Sequence, residues 1–134
     1  MKESKLVVRY LDGKVLKGHT LDFSSTKDSF HLLPLDDPSR SVEVRLNQIK
    51  AVFFVKDFIG QRGHDEARDF DGSHPVMGKS IQVTFLDGEV LVGTSEIYMP
   101  NRKGFILFPA DRRSNAEKVF VVNSAVSEVK FISS

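Results

Sequence analysis

The sequence predicts an all-β protein built as two small barrels, five short strands in each, fused by internal duplication. Three observations carry this. The stretch Leu11-Asp12-Gly13-Lys14-Val15-Leu16-Lys17-Gly18 returns 75 residues later as Leu86-Asp87-Gly88-Glu89-Val90-Leu91-Val92-Gly93, and the register holds without a gap from Val8/Val83 to Asp36/Asp111. Apolar residues alternate with polar ones in short runs, the period of a half-buried strand. Asp-Gly, Pro and Ser clusters punctuate those runs at close spacing, as the turns of a small barrel do.

Leu6 to Tyr10 reads as the first strand, with Val8 and Tyr10 on one face and Val7 and Arg9 on the other. Asp12 and Gly13 close a hairpin, because both tolerate a turn backbone at little cost. Lys14 to Phe23 is the return strand, and Gly18 marks a bend or bulge in it. The polar stretch 24–28 is a turn. Phe30 to Leu35 and Val42 to Leu46 are the third and fourth strands, separated by the Asp36-Asp37-Pro38-Ser39 cluster. Asn47-Gln48-Ile49 has room for one tight helical turn. Ala51 to Val55 is the fifth strand and is too apolar to be wet on both faces.

The first barrel is therefore expected over residues 1–59, a connection over 60–79 and the second barrel over 80–134. The connection contains Gly60, Gly63, Gly72, Gly78 and Pro75 and has no counterpart in the repeat. A connection so long, carrying Phe70, Val76 and Met77, is expected to pack against the barrels. In the second copy the strands are Ile81 to Phe85, Glu89 to Tyr98 with Gly93 at the bend, Phe105 to Phe108, Lys118 to Val122 and Glu128 to Ile132. The loop after Asp111 is two residues longer than its counterpart, so the offset becomes 77 from Val42/Val119 through Val52/Val129 to Val55/Ile132.

Composition excludes several function classes. Nineteen basic and 18 acidic residues leave a formal charge of +1, which gives no general attraction to nucleic acid or anionic membrane. The absence of cysteine removes disulfides, thiol catalysis and thiolate metal sites. No apolar run approaches the roughly 20 residues that span a bilayer, and the charged N-terminus leads into alternation and not a signal peptide. A cytoplasmic protein is the expectation.

The order of elements resembles the SH3-like barrels, in particular the Sm-like variety, and the spacing Gly13-x4-Gly18 and Gly88-x4-Gly93 is similar to the first Sm-like motif. Where Sm-like proteins carry an RNA-contacting Asp and Asn, this chain has Ser24 and Ser29, then Met99 and Gly104, so the resemblance implies the fold without the RNA site. The phrases from Lys27 to Leu32, from Lys50 to Phe58 and from Phe105 to Asp111 resemble an uncharacterised bacterial family of environmental, often anaerobic, proteobacteria. That resemblance implies no activity.

No catalytic constellation, cofactor motif or metal-ligand spacing emerges; His64 and His74 share the connection with Asp65, Asp69 and Asp71 without convergent spacing. Asp12, Gly13, Gly18, Asp87, Gly88 and Gly93 have structural work as turns and bends. Two loops of the second copy, with Arg102 and Lys103 in one and Arg112 and Arg113 in the other, are the candidate contact for anions or nucleic acid, with Arg9 and Lys17 as weaker candidates on the first. Phe53 and Phe54 are adjacent, so alternation sends them to opposite faces and one must leave its own core. With Phe58 they form the candidate interface, against the other barrel or another molecule. The expectation is a non-enzymatic protein-interaction or regulatory module that binds a protein partner or self-associates. The alternatives are weak binding of RNA or single-stranded DNA through the cationic loops, and a small-ligand sensor.

Overall fold

The computed structural model describes residues 4–37, 39–56, 79–95, 102–110 and 115–132. They form ten strands: β1 (Ser4–Tyr10), β2 (Val15–Thr20), β3 (Ser29–Pro34), β4 (Val42–Arg45), β5 (Ile49–Val55), β6 (Lys79–Phe85), β7 (Val90–Ser95), β8 (Gly104–Pro109), β9 (Ala116–Val122) and β10 (Val126–Phe131). A one-turn 3-10 helix stands between β4 and β5 (Leu46–Gln48) and another between β9 and β10 (Asn123–Ala125).

The duplication is visible in the hydrogen-bond ladders themselves. Val8 pairs with Val52 and Val83 with Val129; Phe30 pairs with Val44 and Phe105 with Val121. Even the irregularity recurs: a bulge breaks β5 beside Ile49 and β10 beside Val126. The hairpin turns follow from local chemistry. Gly13 and Gly88 adopt φ of 93° and 92°, a region that favours glycine, and the carboxylates of Asp12 and Asp87 each accept the amide two residues on at 2.9 Å. The backbone bond from Tyr10 N–H to the Lys14 carbonyl makes these three-residue loops.

The closed barrels expected from the sequence, and with them the SH3-like and Sm-like resemblance, are overturned by the topology. All ten strands lie in one open sheet, in the order β10-β6-β7-β8-β9-β5-β1-β2-β3-β4. The physical reason is that the two strands that would have to seal the barrels are spent on each other. β5 has β1 on one edge and β9 on the other, and β9 has β8 on its far side, so β5 has no edge left for β4 and β9 none for β10. The all-β class and the internal duplication stand; among the described residues the sheet ends at β4 and β10.

Two apolar cores sit on the sheet. The first gathers Leu6, Val8, Phe30, Leu32, Val44, Ile49 and Val52 with Phe120 and Val122 from the second half; the other gathers Ile81, Val83, Phe85, Phe105, Leu107, Val119 and Val121 with Ala51 from the first. Each half thus borrows from its neighbour. Sixty residues bury too little surface to be robust alone, and the borrowed side chains enlarge both cores.

Candidate functional site

The seam between β5 and β9 places Phe53, Phe54 and Arg9. Ala51 stands opposite Val121, Val52 opposite Phe120, Phe53 opposite Val119 and Phe54 opposite Lys118. Side chains alternate across this ladder. Val52 and Phe54 face the first core with Phe120 and Val122, whereas Ala51 and Phe53 face the second with Val119 and Val121. Arg9 lies over the Phe53 ring at 4.8 Å and Lys118 over the Phe54 ring at 5.0 Å. Phe23, from the loop after β2, meets Phe30, Phe54 and Phe120 edge to face, all with centroids 5.2 to 5.3 Å apart.

A charge cluster crosses the same seam. The bulge in β5 re-aims Lys50, whose side chain is only 8 % exposed, towards the second-half hairpin, where its ammonium meets Asp87 at 2.6 Å and also Glu89. Arg9 reaches Glu89 at 3.2 Å. The hydrogen bond from Lys50 is the leading reason that the Asp87 carboxyl lies below the usual aspartate range, with the Glu89 backbone amide adding to it. Asp87, read in the sequence as a turn residue, is also the partner of a buried lysine. A bulge at that point has no side-chain signature, which is why Lys50 went unseen.

A cleft of about 620 Å³ opens where equivalent corners of the two halves meet. Asp28, Arg45, Leu46 and Asn47 line one wall, and Arg102, Lys103, Asn123 and Ser124 the other. Matching backbone bonds shape the corners: Leu46 N–H donates to the Asp28 carbonyl and Asn123 N–H to that of Lys103, each at 2.9 Å. Lys103 forms an ion pair with Asp28 across the cleft, and Arg45 bonds Glu43 at 3.2 Å. Arg102 has no carboxylate partner among the described residues. So Arg102 and Lys103 come together with Arg45, while Arg9 is engaged at the seam and Lys17 stands on β2 opposite Val7. Arg112, Arg113 and Phe58 lie outside the described residues, as does the connection over 57–78 with its histidines.

Gly18 and Gly93 occupy the positions where β2 and β7 bear on the next strand. A side chain there would collide with the carbonyl oxygen of Leu33 or of Phe108. A further pair, not foreseen, is His31 and Asp22: the imidazole Nδ1 lies 2.8 Å from the carboxylate, which also accepts the His31 backbone amide at 2.9 Å. Partial burial pushes the Asp22 carboxyl up, and the bonds from His31 and Thr20 outweigh it and hold it below the usual range. Asp22 thus ties the loop after β2 to β3. Among the described residues no three histidines or carboxylates converge as a metal site would require.

The free edges complete the description. On β10, Glu128 and Lys130 are exposed and point away from the second core, on which Val126 and Val129 pack; Phe131 is 56 % exposed and Ile132 37 %. On β4, Val44 is buried in the first core, and Glu43 and Arg45 face outward.

No curated protein and no solved structure matches the chain. No helix among the described residues is long and apolar enough to cross a membrane. A family model does match, over residues 2–133, and it is that of a family of unknown function. The chain, across nearly its whole length, therefore belongs to the family of unknown function DUF6982.

Proposed function

We propose that the protein is a non-enzymatic protein-interaction module, working in the cytoplasm, that takes up an extended segment of a partner protein on the free edge of β10. The supporting observation is the contrast between equivalent strands. Phe54 and Val55 of β5 stand against β9, whereas the counterpart strand β10, among the described residues, pairs with β6 alone. An edge strand presents unpaired amides and carbonyls, and β-strand addition uses such an edge for affinity and the alternate side chains for specificity. The cytoplasmic setting rests on the cysteine-free composition.

The test is affinity purification of the tagged chain from the cells that make it, beside the variant Phe131→Asp with Ile132→Lys. A protein retained by the wild type and lost by the variant, with β10 amides slowed in exchange within the complex, is the expected result. Equal recovery by both chains would remove β10 from the reading.

A second reading has its own observation: the cleft brings Arg45, Arg102 and Lys103 together at a polar seam. Weak binding of RNA or single-stranded DNA there must fall steeply as salt rises. Binding that persists at high salt, or survives Arg102→Ala, would count against it.

A further inference from the structure

The cleft between the two corners is where the repeat differs in charge. Lys27 and Asp28 of the first half correspond to Arg102 and Lys103 of the second, Leu46 to Asn123 and Asn47 to Ser124. Core positions beside them stay apolar in both copies, as at Phe30 and Phe105 or Val44 and Val121. Because of this difference, Asp28 and Lys103, the same position in the two copies and 75 residues apart, form an ion pair with each other across the cleft.

The second-half corner is the more firmly built wall. Asn123 holds it twice: its backbone amide donates to the Lys103 carbonyl at 2.9 Å, and its side-chain Nδ2 donates to the Arg102 carbonyl at 2.8 Å. Leu46, in the equivalent place, has only a backbone amide to give, and donates it to the Asp28 carbonyl. Two successive cationic residues are thus fixed through their backbone, independently of their charged ends.

The charges decide what that wall can hold. Arg45 is matched by Glu43 and Lys103 by Asp28, which leaves Arg102 as the lining cation without a carboxylate among the described residues. Asp28 is the weakest member: its side chain is 90 % exposed, and ion pairs so open to water contribute little. Its carboxylate can turn out to solvent while its backbone stays bonded to Leu46. Lys103 then joins Arg102 as a double positive charge. A phosphate monoester at neutral pH is close to a dianion with three acceptor oxygens, and guanidinium and ammonium groups are its natural donors.

Space and lining describe the rest of the ligand. At about 620 Å³ the cleft has the size of a small-molecule site, with room beyond the phosphate. Ser29, Asn47 and Ser124 offer hydroxyl and carboxamide groups there. No aromatic ring stands among the described lining residues, so a nucleobase has nothing to stack on. Walls of this kind suit a body rich in hydroxyl groups.

We propose that the cleft binds the phosphate monoester of a small polyhydroxy compound, a sugar phosphate by chemical class, with Arg102 and Lys103 on the phosphate and Asp28 displaced from Lys103 as it enters. Asp28 is then a built-in competitor that sets the affinity. This rests on the same cationic cleft as the nucleic-acid reading above and differs from it in taking a small ligand and not a polymer.

The test is a titration of the full chain near neutral pH and at low salt, following backbone amide shifts. The probes are glucose 6-phosphate, ribose 5-phosphate, the two sugars without phosphate, inorganic phosphate and a uridylate hexamer. At least one sugar phosphate shifts the amides of Arg102, Lys103 and Asn123 and binds more tightly than inorganic phosphate, while the bare sugars shift nothing. Asp28→Asn tightens that binding about two- to fivefold by removing the competitor, and Arg102→Gln weakens it about tenfold or more. Sugar phosphates that bind no better than inorganic phosphate overturn the proposal. So does an Asp28→Asn chain, folded by circular dichroism, whose affinity is unchanged or lower. A hexamer that binds more tightly than either sugar phosphate also overturns it and hands the cleft to the nucleic-acid reading. Shifts from a sugar phosphate with none from the hexamer remove that reading and leave this one.

Discussion

Lys50 and Asp87, 37 residues apart in the chain, meet at 2.6 Å across the seam that joins the two halves. The lysine is buried and the aspartate half exposed. That asymmetry fixes which partner is costly to lose. Replacing Asp87 with Asn and Glu89 with Gln together leaves a buried ammonium beside Arg9 without a counter-charge, which costs roughly 3 kcal/mol. Lys50→Met leaves two carboxylates that water can reach and costs about 1 kcal/mol or less. Urea midpoints of the two variants check the order.

Asp87, together with Asp22, gives a pH dependence. The folded carboxyls of Asp87 and Asp22 titrate below the ordinary aspartate range, so the unfolded chain binds protons first as the pH drops. Their contribution is fully present above the unfolded value, near about 4, and is lost as the pH falls through the lower folded values. The urea midpoint therefore declines on acidification in that window, and Asp87→Asn with Asp22→Asn flattens the decline. A midpoint equally steep in the double variant would assign acid sensitivity elsewhere.

Phe120 belongs by sequence to the second half and by packing to the first core, where it is fully buried. Phe120→Ala costs about 3–5 kcal/mol. Its signature is location: amide exchange accelerates in β1, β3 and β5 more than in β6 and β7. Acceleration confined to β8 and β9 would mean that the halves do not share their cores.

The two kinds of repeat glycine respond differently to alanine. Gly88→Ala meets open space but keeps a positive φ, at a cost of about 1–2 kcal/mol. Gly93→Ala adds a methyl group against the Phe108 carbonyl and the Leu107 side chain, so β7 and β8 must separate. The melting temperature falls further for Gly93→Ala than for Gly88→Ala, and the Gly18 and Gly13 pair repeats the order.

What the sequence reveals here is local. Asp12-Gly13 and Asp87-Gly88 mark their hairpins because turn chemistry acts within a few residues, and the offsets of 75 and 77 recover every ladder partner inside each half. The order of strands around the seam is not local. Hydrogen-bonding edges of β5 and β9 carry no side-chain code, so alternation that fits a closed barrel fits an open sheet equally well. One signal did distinguish them. Outward positions are apolar at Ala51, Phe53, Phe120 and Val122 but charged at Glu43, Arg45, Glu128 and Lys130. Phe53 and Phe54 hinted at the seam; the four charges mark its absence at the ends. The Lys50 cluster and the Asp22–His31 pair stayed hidden because a bulge aims the first and a loop carries the second.

The central claim is that one sheet runs through both halves, with β5 and β9 joined at its middle and, among the described residues, β4 and β10 open at its ends. Native-state amide hydrogen exchange of the isolated chain tests it most directly. The account predicts that β5 and β9 are protected along both edges and exchange with the slowest group, while the β10 amides that do not bond to β6, and the β4 amides that do not bond to β3, exchange fast. Protection of those outer amides equal to that of β5 would contradict it, since the edges would then be closed.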